Sequence, residues 1–122
     1  MSNNIQTQSN DTPRQILLKA VTPIRSAEQL LVESSRATSD PAKLTKISLE
    51  YNHLDSFLTQ LLHTQAIADD AAFTAATAAL KQQATALQTK EEDIKKIVDD
   101  VHTATQIVGY MAQVLAFVEK LP

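Results

Sequence analysis

Two stretches of the chain have the residue types and spacing of metal or acid–base chemistry. Glu50-Tyr51-Asn52-His53 follows Glu-x-x-His, which on a helix brings a carboxylate and an imidazole to one metal in ferritin-like bundles. Asp99-Asp100-Val101-His102 offers a near-copy, Asp99-x-x-His102. A complete site of that kind needs inward carboxylates from two further helices. Glu28 or Glu33 is available early in the chain, but no acidic residue stands between Asp70 and Glu91. Phase is a second objection. With Tyr51 and Leu54 in the interior of their helix, Glu50 flanks that line and His53 points away. With Ile97 and Val101 inside, Asp99 and His102 both face out, and His63 falls opposite the Leu58–Leu61 line. These groups are expected as solvated residues on outer faces, holding no metal and no cofactor.

Other chemistries find less support. There is no cysteine, so no thiolate ligand, disulfide or cysteine nucleophile is possible. One glycine cannot build a phosphate-cradling loop, and no serine or threonine stands in a nucleophile-elbow setting. The sequence therefore argues against an enzyme. With 11 basic and 14 acidic residues the formal net charge is −3, and Arg14, Arg25 and Arg36 are spread out rather than clustered. A nucleic-acid binder needs a concentrated basic face, so no nucleic-acid partner is expected. The opening MSNNIQTQSND is polar and has no apolar core, which points to a cytoplasmic protein.

The elements that position these residues are read from punctuation and period. Hydrophobic residues make up 43% of the chain while aromatics make up 4%, and glycine is all but missing. Sheets want β-branched and aromatic strands joined by glycine turns, so the composition points to an all-α fold. Residues 1–11 read as a flexible polar tail and 12–122 as a single helical-bundle domain. Thr12-Pro13-Arg14-Gln15 has the form of a capped helix start, followed by a 3-4 stripe of Leu17, Ala20, Ile24, Ala27 and Leu31. Pro23 inside this run predicts a kink, or a restart capped by Thr22. Asp40-Pro41 opens a second helix with the stripe Leu44, Ile47, Tyr51, Leu54, Leu58 and Leu61, and Asp69-Asp70 opens a third.

Beyond Ala71 one 3-4 phase runs from Phe73 through Ala76, Leu80, Gln83, Leu87, Lys90, Ile94, Ile97, Val101, Ala104, Val108, Met111 and Leu115 to Val118. Two architectures fit it. An antiparallel, up-down bundle of three to four helices would turn near Thr89-Lys90-Glu91-Glu92, with helices near 13–38, 41–67, 70–88 and 90–120. Alternatively, a helical hairpin packs on one long C-terminal helix of about 50 residues, roughly 75 Å in length. The bundle is favoured, because Gln83 and Lys90 weaken the stripe where a turn could form.

The C-terminal segment is the most informative. Val101 to Val118 carries no formal charge, yet His102, Thr103, Thr105, Gln106 and Gln113 make it a marginal membrane span. One apolar stripe, Val108-Met111-Leu115-Val118, continues the bundle seam. A second, Ile107-Tyr110-Val114-Phe117-Leu121, lies beside it, and a third line, Thr105-Gly109-Ala112-Ala116, is small. A helix apolar around most of its circumference is buried on most of it. Either it is central to the bundle or one of its faces meets another chain. The expected partner-binding residues are Ile107, Gly109, Tyr110, Ala112, Val114, Ala116, Phe117 and Leu121. Gly109 marks a place where a neighbouring backbone comes close. The function expected is a non-enzymatic interaction module, of an immunity, chaperone or adaptor kind, with a protein partner or itself as a homo-oligomer. The alternative is a membrane-active helical protein whose 101–118 segment inserts into lipid.

Overall fold

A computed structural model describes residues 11–121 and shows four helices: α1 (Pro13–Ala37), α2 (Pro41–Gln65), α3 (Asp70–Ile97) and α4 (Val101–Glu119). Each starts on a side-chain cap that satisfies backbone N–H groups left over at a helix N-terminus. Thr12 and Gln15 form a reciprocal capping box on α1, the Gln15 N–H donating to Thr12 and the Thr12 N–H donating to Gln15 Oε1. Asp40 accepts from the Ala42 N–H (2.9 Å), Asp69 from Ala72 (2.8 Å) and Asp100 from Thr103 (3.0 Å). The linkers are only a few residues long, so successive helices run antiparallel. The backbones come close in the pairs α1 with α2, α2 with α3, α3 with α4 and α4 with α1, while the diagonal α1–α3 pair meets through side chains. The fold is an up-down four-helix bundle of square section. Its α1–α4 pairing is the densest and its α2–α3 pairing the sparsest.

The last turn lies some nine residues later than the sequence suggests. Thr89 does not cap a helix; its hydroxyl donates to the Ala86 carbonyl (2.7 Å) inside an unbroken α3. The chain instead turns at Val98, where the backbone becomes extended, and Asp100 caps α4. The long-helix alternative falls on the same observation. Ile94, Ile97 and Val98 are all buried, so the core continues past the expected turn. At the other proline of interest, α1 runs on through Pro23 with no restart at Thr22. Residues 1–10 of the expected tail lie outside the described residues, and Asp11 pairs with Lys19 (2.5 Å).

The α1 stripe Leu17, Ala20, Ile24, Ala27 and Leu31 is wholly buried, as its period requires. In α3 the interior takes Phe73, Leu80, Leu87 and Ile94 as expected, but Thr77 and Ala84 rather than Ala76 and Gln83. Thr77 is tolerated there because its hydroxyl donates to the Thr74 carbonyl (2.8 Å), leaving its methyl to pack. Near the open end of the bundle, Lys81 donates to the Leu121 carbonyl (2.8 Å), so the first turns of α3 project beyond the end of α4. Arg14 covers them: its guanidinium lies 4.1 Å over the Phe73 ring, donates to the Ile67 carbonyl (2.6 Å) and faces Asp70 at 3.9 Å.

Candidate interaction surfaces

In α4 the two expected apolar stripes share the interior between them. Ala104, Ile107, Met111, Val114 and Val118 are buried, with Leu121 just beyond the helix, again at 3-4 spacing. The seam thus takes Ile107 and Val114 where Val108 and Leu115 were expected; those two are half-buried. Of the eight residues expected to meet a partner, Ile107, Val114 and Leu121 belong to the core and reach no partner while the bundle is intact. Tyr110 and Phe117 are half-buried at the border. Gly109, Ala112 and Ala116 are exposed. Gly109 needs a different explanation from a close intramolecular neighbour: a Cβ built there meets nothing within 4 Å.

From Val101 to Val118 the outer wall of α4 is therefore uncharged, small and open. Val101 is 77% exposed at its start, followed outward by His102, Thr105, Gln106, Gly109, Ala112, Gln113 and Ala116. It adjoins a groove of about 420 Å³ shared with α1, lined by Thr22, Arg25, Ser26, Gln29 and Leu30 opposite Gln106 and Tyr110. Among the described residues α4 is also the one helix whose length and mean hydropathy (1.2 over its best window) would suffice to cross a membrane.

No family model, curated protein or solved structure matches this chain. The functional reading rests on its own surfaces.

Two of the acidic residues singled out above, Glu50 and Glu28, are buried, whereas Glu33 and Asp99 are exposed. Glu50 is only 7% exposed, on the α2 interior line Ile47-Glu50-Leu54-Phe57-Leu61-Thr64 rather than beside it. Burial pushes its carboxyl above the usual range, while Lys90 and His53 pull it down and Asp93 pushes it further up. Glu50 and His53 thus share one α2–α3 groove with Asp93 across from them. Among the described residues no three histidine or acidic side chains gather closely enough to hold a metal. His53, His63 and His102 are exposed; Asp99 is exposed and paired with Lys43. Asp100 is held below the ordinary carboxylate value by the hydroxyl and then the backbone N–H of Thr103.

Glu28 is the other buried acid, 8% exposed on α1, and as a carboxylate its Oε2 finds no donor to accept from. Its pKa rises from the ordinary 4.5 to about 7, first through burial, then through a hydrogen bond and charge repulsion from Asp55 on α2, against a smaller opposing pull from Arg25. A protonated Glu28 can donate to Asp55 across the α1–α2 interface. From the sequence Glu28 stands out only as a candidate metal ligand. Its place next to Ala27 on the α1 stripe is nonetheless a signal that one flank of the seam is acidic.

Proposed function

We propose that the protein is a non-enzymatic helical interaction module that self-associates through the outer wall of α4. The observation that carries this reading is an exposed helix face that has no formal charge from Val101 to Val118, on a chain whose net charge is −3. A two-fold dimer sets a face against its own copy, so any strongly charged face repels itself. The α4 wall is free of that penalty. Its small residues allow two backbones to approach, and Gly109, unexplained within one chain, gains a reason in the dimer. Tyr110 and Phe117, half-buried at its edge, supply the aromatic contact that interfaces favour. A 19-residue helix is about 28 Å long and about 10 Å wide, so α4 alone offers roughly 300 Å². The adjoining α1 wall at Thr22, Ser26 and Leu30 is needed to enlarge it, and the association is of the small, transient kind.

Sedimentation of the full chain over a wide concentration range tests this. The expected result is a monomer–dimer equilibrium that Ala112→Glu shifts to monomer with the helical circular dichroism unchanged. A wild-type chain that stays monomeric throughout refutes self-association; a dimer that persists in Ala112→Glu refutes this face. A membrane role for α4 is the second reading, supported by its hydropathy. It requires Ile107, Met111, Val114 and Val118 to leave the core, and co-sedimentation with neutral and anionic vesicles decides it: no binding removes it.

A further inference from the structure

The seam between α1 and α2 encloses two carboxyl groups that face each other. Glu28 on α1 is buried, its Oε2 out of reach of solvent, and Asp55 meets it from α2. Arg25, exposed and one turn earlier on α1, pulls on Glu28; among the described residues α3 and α4 bring no charged side chain to bear on it. On either side of this pair the seam is incompletely closed. One turn toward the 38–40 linker, Val32 and Tyr51 line a recess of about 160 Å³ that also has the polar Ser35, Ser48 and Asn52 on its walls. Seven residues the other way, on the same helix faces, come Val21 and Leu62. Leu62 is exposed, as is Leu18 one turn below Val21.

With its proton on, Glu28 can donate to Asp55, and the pair carries a single negative charge. Once the proton leaves, two like charges confront each other, and one of them has an oxygen with neither water nor donor. A carboxylate so placed is costly until water or a cation reaches it. Asp55 is exposed and can turn outward. Glu28 lies with Ala27 and Leu31 on the buried line of α1, so its own route to water leads through the seam. The recess at Tyr51 supplies that route: it is one turn away, polar on several sides and large enough to hold water.

We propose that Glu28 is a proton-operated clasp on the α1–α2 seam: protonated, it bridges to Asp55 and holds the helices together; ionised, it draws water in from the Tyr51 recess and the two helices part around it. Burial, with Asp55 adding to it, raises the Glu28 pKa to about 7, so the clasp is shut at pH 5.5 and released at pH 8.5. The sign follows from the proton, which the closed form binds more tightly than the parted one, so rising pH favours parting. The opening is local, of the kind that precedes global unfolding, and leaves the α3–α4 and α4–α1 contacts in place. It does not depend on α4 being a dimer face.

Spin-label distances across the seam test this in the full chain. There is no cysteine, so labels attach only where one is placed, and Thr22→Cys with Thr59→Cys puts two at exposed positions on the facing helices. Labelled chain is diluted into unlabelled chain, so that only distances within one molecule are read. A single distance is expected at pH 5.5. At pH 8.5 a second should appear, longer by about 3 Å or more, the diameter of one water molecule. In the same labelled background Glu28→Gln cannot ionise, and Asp55→Asn removes the repulsion and supplies a donor. Both should keep the single short distance at pH 8.5, with the helical circular dichroism unchanged. One distance at both pH values in the otherwise wild-type chain overturns the proposal, which is the result if Glu28 merely swings out to Arg25. A longer distance that persists at pH 8.5 in either variant overturns it as well.

Discussion

Replacing Glu28 by Gln should make the protein more stable at pH 8 and leave it nearly unchanged at pH 4. The folded chain holds the Glu28 proton up to about pH 7, whereas the unfolded chain releases it near 4.5. Between those values the folded state binds the extra proton, so stability falls as pH rises through this window. Below 4.5 the contribution is fully present; above 7 it is gone. At about 1.4 kcal/mol per pH unit, the rise from 4.5 to about 7 bounds the cost of ionising Glu28 at about 3 kcal/mol. Asp55 is exposed and can turn toward water, so about 2 kcal/mol is the working figure. Glutamine keeps the shape, cannot ionise, and can donate to Asp55. For a chain of this length about 2 kcal/mol corresponds to about 6–10 °C in thermal midpoint. The assay is thermal and urea unfolding of wild type and variant at both pH values, followed by circular dichroism. Contributions from Glu50 and the three exposed histidines are common to both proteins and cancel in the difference. An equal difference at the two pH values, or a variant less stable than wild type at pH 8, would refute a Glu28 that folds with its proton on. Asp55→Asn should give part of the same relief, and the double variant less than the sum.

Gly109→Ala places a methyl in open space and removes the entropic cost of glycine in a helix, so the monomer should gain about 1 kcal/mol in urea unfolding. If α4 is the dimer face, the same substitution should weaken self-association in sedimentation, giving effects of opposite sign. Asp100→Ala removes the α4 cap and should cost about 1 kcal/mol, whereas Asp100→Asn should restore most of it; a neutral alanine would show that Asp100 does not fix the turn. Arg14→Leu keeps some cover over Phe73 but loses the bond to the Ile67 carbonyl, and should cost about 1–2 kcal/mol in the same assay.

Much of this architecture is legible in the chain, and the exceptions have physical causes. Caps at Thr12, Asp40 and Asp69 and the α1 stripe are readable because each rests on a local interaction. The turn at Asp100 carries the same aspartate signal, but an unbroken 3-4 phase runs across it and hides it. A line drawn at that spacing touches every second interior residue of either flank. Phe73, Leu80, Leu87, Ile94 and Met111 satisfy both choices, and the flanks differ by one position. Ala84 in place of Gln83 can be chosen on polarity. Thr77 in place of Ala76 cannot, since its burial depends on a hydroxyl bond back to its own helix. Glu50 is hidden for the same reason: Tyr51, one position on, has the side chain better suited to a core. At the candidate surfaces the lack of charge on α4 is plain in the sequence. Which of its two stripes faces inward depends on where α1 and α3 lie. The α2–α3 groove leaves no local trace, since its lining comes from two helices.

The projecting start of α3 has a consequence for motion. Ahead of Lys81 its first two turns have no α4 beside them, and their enclosure depends on Arg14 reaching across from α1. Amide protons there should exchange with solvent through a local opening well below the free energy of global unfolding, while those around Leu54 and Met111 wait for the whole bundle. The molecule is then thermodynamically graded along its axis: a fast-breathing end latched by one guanidinium, and a slow end where four helices enclose one another.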